Sequence, residues 1–164
     1  MKLTIGADPE VFVSNEAGVV CSGYGMIEGT KDKPFPIKHG AVQVDGMALE
    51  FNITPASNEA QFVTNITSVM EQLRGMLPKH HVLEIIPVAN FDPEYFSLQP
   101  KEARELGCSP DFNAYTGETN PPPNSDLPMR TAAGHIHVGW IEGDNDDPDH
   151  FGTCRDVIQQ LDYW

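Results

Sequence analysis

The chain is short of positive charge. Of its 164 residues only 10 are Lys or Arg, against 24 Asp or Glu, and the formal net charge is −14. Coating of duplex nucleic acid and attraction to an anionic lipid surface both need clustered cations, so neither is expected. Cysteine is scarce and odd in number: Cys21, Cys108 and Cys154 lie far apart, with no CxxC pair. That argues against a disulfide framework or a cysteine zinc site and fits a reducing compartment. No apolar run approaches the roughly 18 residues that would cross a membrane. The start, Met1-Lys2-Leu3-Thr4-Ile5-Gly6, lacks the apolar stretch of a secretory signal, so a cytoplasmic location is expected. The standard nucleotide and hydrolase loops are missing too. There is no GK[ST], no GxSxG and no HExxH, and Gly23-Tyr24-Gly25 continues with the wrong spacing for GxGxxG.

What is present is a chain long enough for a single domain with a core, 40% hydrophobic and rich in turn formers, with 14 Gly and 14 Pro. No internal repeat is visible. Leu3–Val13 reads as a strand interrupted near Pro9. Ala41–Ile53 reads as two strands joined at Asp45-Gly46, a hairpin signal. Ser57–Leu77 is the best helix. Ser57 or Asn58 can cap it, Pro78 ends it, and Phe62, Ile66, Val69, Met70, Leu73, Met76 and Leu77 form one apolar stripe. His81–Ala89 reads as a further strand region, Gly107–Pro128 as a long irregular stretch, and Gly134–Ile141 as a strand. After an acidic turn, Pro148–Leu161 reads as an amphipathic helix whose stripe of Phe151, Cys154, Val157, Ile158 and Leu161 needs a surface to cover. Strands outnumber helices, so the expected class is α+β, an antiparallel or mixed sheet with helices on one face and the active site on the other.

Side chains two apart on a strand share a face. By that rule Asp8 pairs with Glu10, Gln43 with Asp45, Glu50 with Asn52, and His135 with His137. One such segment is an ordinary solvated strand face more often than not. These four pairs, in three segments of one small domain, would line a single surface with Asp, Glu and His, a donor set suited to Mg²⁺ or Mn²⁺. Lys31, Lys33 and Lys38 sit in one loop beside His39, and Arg130 precedes the histidine strand, so phosphate-binding cations are available near by; a solvated loop explains the lysines equally well. Asp144-Asn145-Asp146-Asp147-Pro148-Asp149 lacks the glycine and spacing of a calcium loop, and Cys108 reads as an incidental thiol rather than a nucleophile.

Four blocks occur in one order: "GADPEVFV", "GTKDKPFPIKHGAVQVDGMALEFNITPA", "GCSPDFNAY" and "RTAAGHIHVGW". Together, from about Gly6 onward, they resemble the phage carboxylate–amine ligases, the type-two amidoligases, distant relatives of glutamine synthetase and glutamate–cysteine ligase. The resemblance implies a glutamine-synthetase-like sheet and an enzyme that uses ATP and Mg²⁺ to phosphorylate a carboxylate, which an amine then attacks to give an amide. It implies metal ligation by Asp8, Glu10, Asp45, Glu50, His135 and His137, nucleotide contacts from Lys31, Lys38, Arg130 and His137, and catalytic roles for Glu50 and Arg130. Its substrates are a carboxylate and an amine, either of them free or on a peptide or protein. The sequence departs from the family pattern at Gly46, where an Asn-like residue is expected, and at Ala133, where a glycine is expected. It has no counterpart of the family's later segments, so it reads as an N-terminal half, either completed by a second polypeptide or truncated; a homo-oligomer is expected from the stripe of the last helix. The alternatives are a non-catalytic relative that binds nucleotide, metal or protein, and an acidic mimic of nucleic acid.

Overall fold

The computed structural model describes residues 3–106, 110–140 and 149–164. Cys108, the acidic turn before Asp149 and the first two residues, Met1 and Lys2, lie outside the described residues.

The fold is α+β, and the strand pairs are antiparallel. Its organising element is β1 (Leu3–Asn15), a 13-residue strand. Pro9 does not interrupt it. The proline has no N–H to give, but pairing with β5 (Ala48–Ile53) begins only at Glu10, and pairing with β9 (Gly134–Trp140) runs through the Pro9–Gly134 pair. Beyond Val11, β1 continues between β2 (Val20–Cys21) and β6 (His81–Glu84). β4 (Gly40–Asp45) pairs with β5 through a two-residue turn, Gly46-Met47, in which Gly46 takes φ of +57°. β3 (Phe35–Ile37) completes that side. Gly29, at φ +102°, packs so closely that an added Cβ would lie 2.3 Å from the Val42 carbonyl; only glycine fits there.

α1 (Glu59–Met76) starts where the sequence places it. Asn58 caps it, its side chain accepting from the Gln61 N–H at 2.9 Å. Its stripe lies on the face of the sheet that carries Val11, Val42, Phe51 and Ile53, with Val69 and Leu73 fully buried. Asn58→Ala is expected to cost about 1 kcal/mol, read as a lower urea midpoint with an unchanged slope.

The expectation that helices occupy one face only is corrected. α2 (Pro93–Ser97) and α3 (Lys101–Arg104) lie on the opposite, polar face, where Phe96 and Ala103 pack with Phe12, Met47 and Ala48. The small β7–β8 sheet (Val88–Asn90 and Met129–Thr131) sits with them through Ala89. Phe12 shares a strand face with Asp8 and Glu10, so that face turns from polar to apolar along β1. The His81–Ala89 region is therefore two strands in two sheets. α4 (His150–Asp162) buries no residue. It is held by the irregular stretch before β8: Arg155 Nε and Gln159 Nε2 donate to the Ala114 carbonyl, Tyr115 Oη donates to Asp162, and Phe112 meets Phe151 edge-on. Phe151, Ile158 and Leu161 remain more than half exposed. Among the described residues no helix is long and apolar enough to cross a membrane.

Candidate functional site

Strand register decides which side chains meet. β1 and β5 place Glu10 directly opposite Glu50, and β5 and β4 place Glu50 opposite Gln43. β1 and β9 place Asp8 opposite His135 and Gly6 opposite His137. Opposed residues share a face, so Asp8, Glu10, Glu50, Gln43, His135 and His137 form one surface, with Asp45 at its hairpin end. Sequence alternation puts each residue on a face; the register brings the faces of four strands together.

Two like charges opposed across a ladder repel, and the surroundings act on that repulsion. Glu10 is pushed above the ordinary carboxyl range chiefly by burial, with Asp45 adding to the rise. The Ala133 N–H, at 3.0 Å from Oε2, and the nearby His135 and Lys31 oppose it. Glu50 is raised for the same first reason, reinforced by Asp45, Asp8 and Glu10, while the 2.7 Å bond from Gln43 Nε2 works against the shift. Glu50 thus senses three other carboxylates. Asp8 Oδ1 lies 3.0 Å from His137 Nε2 and 3.6 Å from His135 Nδ1, yet it is buried without a hydrogen bond of sound geometry.

An orphaned carboxylate oxygen beside two imidazoles and two desolvated glutamates fits a hard divalent cation in donor type. The donors do not form a finished cage: among the described residues no three His, Cys, Asp or Glu side chains converge on one point.

A cavity of about 150 Å³ opens beside these groups. Glu10, Asp45, Glu105, Thr131 and Arg130 line it, with the Gly46-Met47 turn. Glu105 and Thr131 carried no pattern that the sequence could have shown; they arrive with α3 and β8. The cations divide. Lys31 stands near enough to Glu10 to affect its ionisation. The main chain of Lys38 is bonded in both directions to Gln72 of α1, on the helix side of the sheet. Arg130 lines the cavity but is used differently from a phosphate ligand. Its terminal nitrogens donate to the carbonyls of Leu127 (2.8 Å), Met129 (2.7 Å), Ser125 (3.0 Å) and Arg104, and its guanidinium stacks 4.7 Å over Phe96. Nε is buried without a partner. Burial, then Arg104, lowers its pKa. As the residue stands, Arg130 fastens the loop before β8 to the end of α3.

Comparison with protein-family models, with curated proteins and with solved structures finds no match to this chain.

Proposed function

We propose that this face of the sheet is the metal- and phosphate-handling surface of an ATP-dependent carboxylate–amine ligase. The observation that supports it best is the register that sets Glu10 against Glu50 and Asp8 against His135 on one surface. Three of the four sequence blocks that resemble the amidoligases supply the same residues. In this reading Asp8, Glu10, Glu50, His135 and His137 hold Mg²⁺ or Mn²⁺, with Asp45 close by. When bound, the ion supplies positive charge against the triphosphate oxygens. Lys31 adds a cation on the same side. Arg130 positions the loop that walls the cavity. The γ-phosphoryl group passes to a carboxylate oxygen and ADP leaves; the amine nitrogen then attacks the acyl carbon, phosphate departs, and the amine gives up a proton. Glu50 is the carboxylate assigned to take that proton.

A second reading, a relative that binds without turnover, is favoured by the donors that do not converge. One experiment separates them. Calorimetric titration of the chain with ATP should show binding with Mg²⁺ and none with chelator. ADP release that requires both a carboxylate and an amine then marks the ligase, and binding without release marks the non-catalytic relative. No binding in either condition would overturn the ligase reading for this chain and leave a relative that binds a protein partner.

A further inference from the structure

β9 is an edge strand, and its sequence is complementary to itself. Among the described residues it pairs with β1 and with no other strand. Ile5 exchanges both its main-chain hydrogen bonds with Ala56, on the side of β1 away from β9. The even-numbered residues of β1 therefore direct theirs toward β9, as Glu10 does to Ala133, and His135 and His137 answer them. The main-chain groups of Gly134, Ile136, Val138 and Trp140 are left pointing outward. Exposed edges are usually blunted by Lys, Pro or inward charge. Gly134-His135-Ile136-His137-Val138-Gly139-Trp140 has none of these, and Ile136 is 59% exposed.

Laid antiparallel on a second copy about His137, the strand fits residue by residue. Ile136 meets Val138, His135 meets Gly139, and Trp140 meets Gly134, so each bulky side chain finds a glycine and the two β-branched residues find each other. The outward-facing residues are the ones that pair in this register, and the two His137 side chains become a close, non-hydrogen-bonded pair on the polar face. We propose that two chains join through β9 about a two-fold axis into one continuous sheet, with His137 of each subunit at the junction. The pairing does not depend on the ligase reading. Its consequence for metal does: donors that fail to converge within one chain acquire a second Asp8–His135–His137 set across the axis.

The test is sedimentation of the full chain without nucleotide or metal, so that failure of the ligase reading leaves it untouched. Wild type should sediment as a dimer of the 18.1 kDa chain. Ile136→Lys should weaken the dimer by about tenfold or more and leave the circular dichroism unchanged. Should that variant fail to fold, Val138→Pro removes only an outward N–H and keeps the ladder with β1. The register is read by His137→Cys, whose thiols should link the two chains on oxidation, since opposed Cα atoms in such a pair fall within disulfide reach. A monomeric wild type, a dimer indifferent to every folded edge variant, or a His137→Cys chain that does not crosslink would overturn the proposal.

Discussion

Arg130→Met is expected to destabilise the fold by roughly 2–4 kcal/mol, the largest loss from any single change at the candidate site. The reason is what the guanidinium holds. It is 5% exposed, and its terminal nitrogens serve four carbonyls from three stretches of chain: Arg104 at the end of α3, Ser125 and Leu127 in the loop, and Met129 in β8. Without it, carbonyls at the buried end of this junction lose donors that methionine cannot replace, and the stacking on Phe96 is lost as well. Arg130→Lys should rescue little, because an ammonium cannot reproduce a planar fork that reaches several acceptors at once. Both variants should lower the melting temperature by roughly 5–15 °C. A residue acting only as a phosphate ligand would behave otherwise, leaving the melting temperature unchanged while ATP affinity fell. Thermal denaturation without nucleotide therefore decides between the two uses of this arginine.

The sequence was legible where local rules and tertiary packing agree. The Asp45-Gly46 turn and the alternation around it foretold the β4–β5 hairpin. The stripe from Phe62 to Leu77 foretold α1 and the face it covers. The pairing of Asp8 with Glu10 and of His135 with His137 was legible from period two alone. That they could line one surface was expected; which residue faces which was not legible, because register between strands 40 to 130 residues apart follows from the whole sheet. Pro9 misled for a simple reason: a proline ends a strand only where the ladder needs its N–H. α2 and α3 escaped because helices of five and four residues have no period to read, and each anchors itself through one buried residue, Phe96 or Ala103. One signal was available. Phe12, two residues past Glu10, announces that the polar face becomes apolar and must be covered. Arg130 and Lys38 were read from charge and proximity in sequence, and neither criterion sees that one guanidinium would be consumed by carbonyls and that the other residue's backbone would be tied to α1.

Glu10→Gln and Glu50→Gln should each make the protein more stable at neutral pH while weakening Mg²⁺-dependent ATP binding by about tenfold or more. Both carboxyls are raised in the folded state, mainly by burial and then by neighbouring carboxylates. Between the unfolded value of 4.5 and the higher folded value, the native state binds more protons than the unfolded chain. Stability is then fullest below about 4.5 and declines as pH rises through the folded pKa. A glutamine is neutral throughout, so each variant should flatten this decline and gain stability near neutrality. The local bonds survive the exchange, because the amide oxygen can still accept from the Ala133 N–H at position 10 and from Gln43 at position 50. Melting curves from pH 4 to 8 read the first effect. The second is read by adding Mg²⁺ with ATP, which should raise the melting temperature of wild type and move that of either variant much less. Stabilisation with an intact Mg²⁺ response would mean that these glutamates repel each other for no ligand. Destabilisation at neutral pH would mean that their charge is already compensated within the chain. Only stabilisation together with a lost response matches a surface that holds like charges apart from water in order to bind a cation.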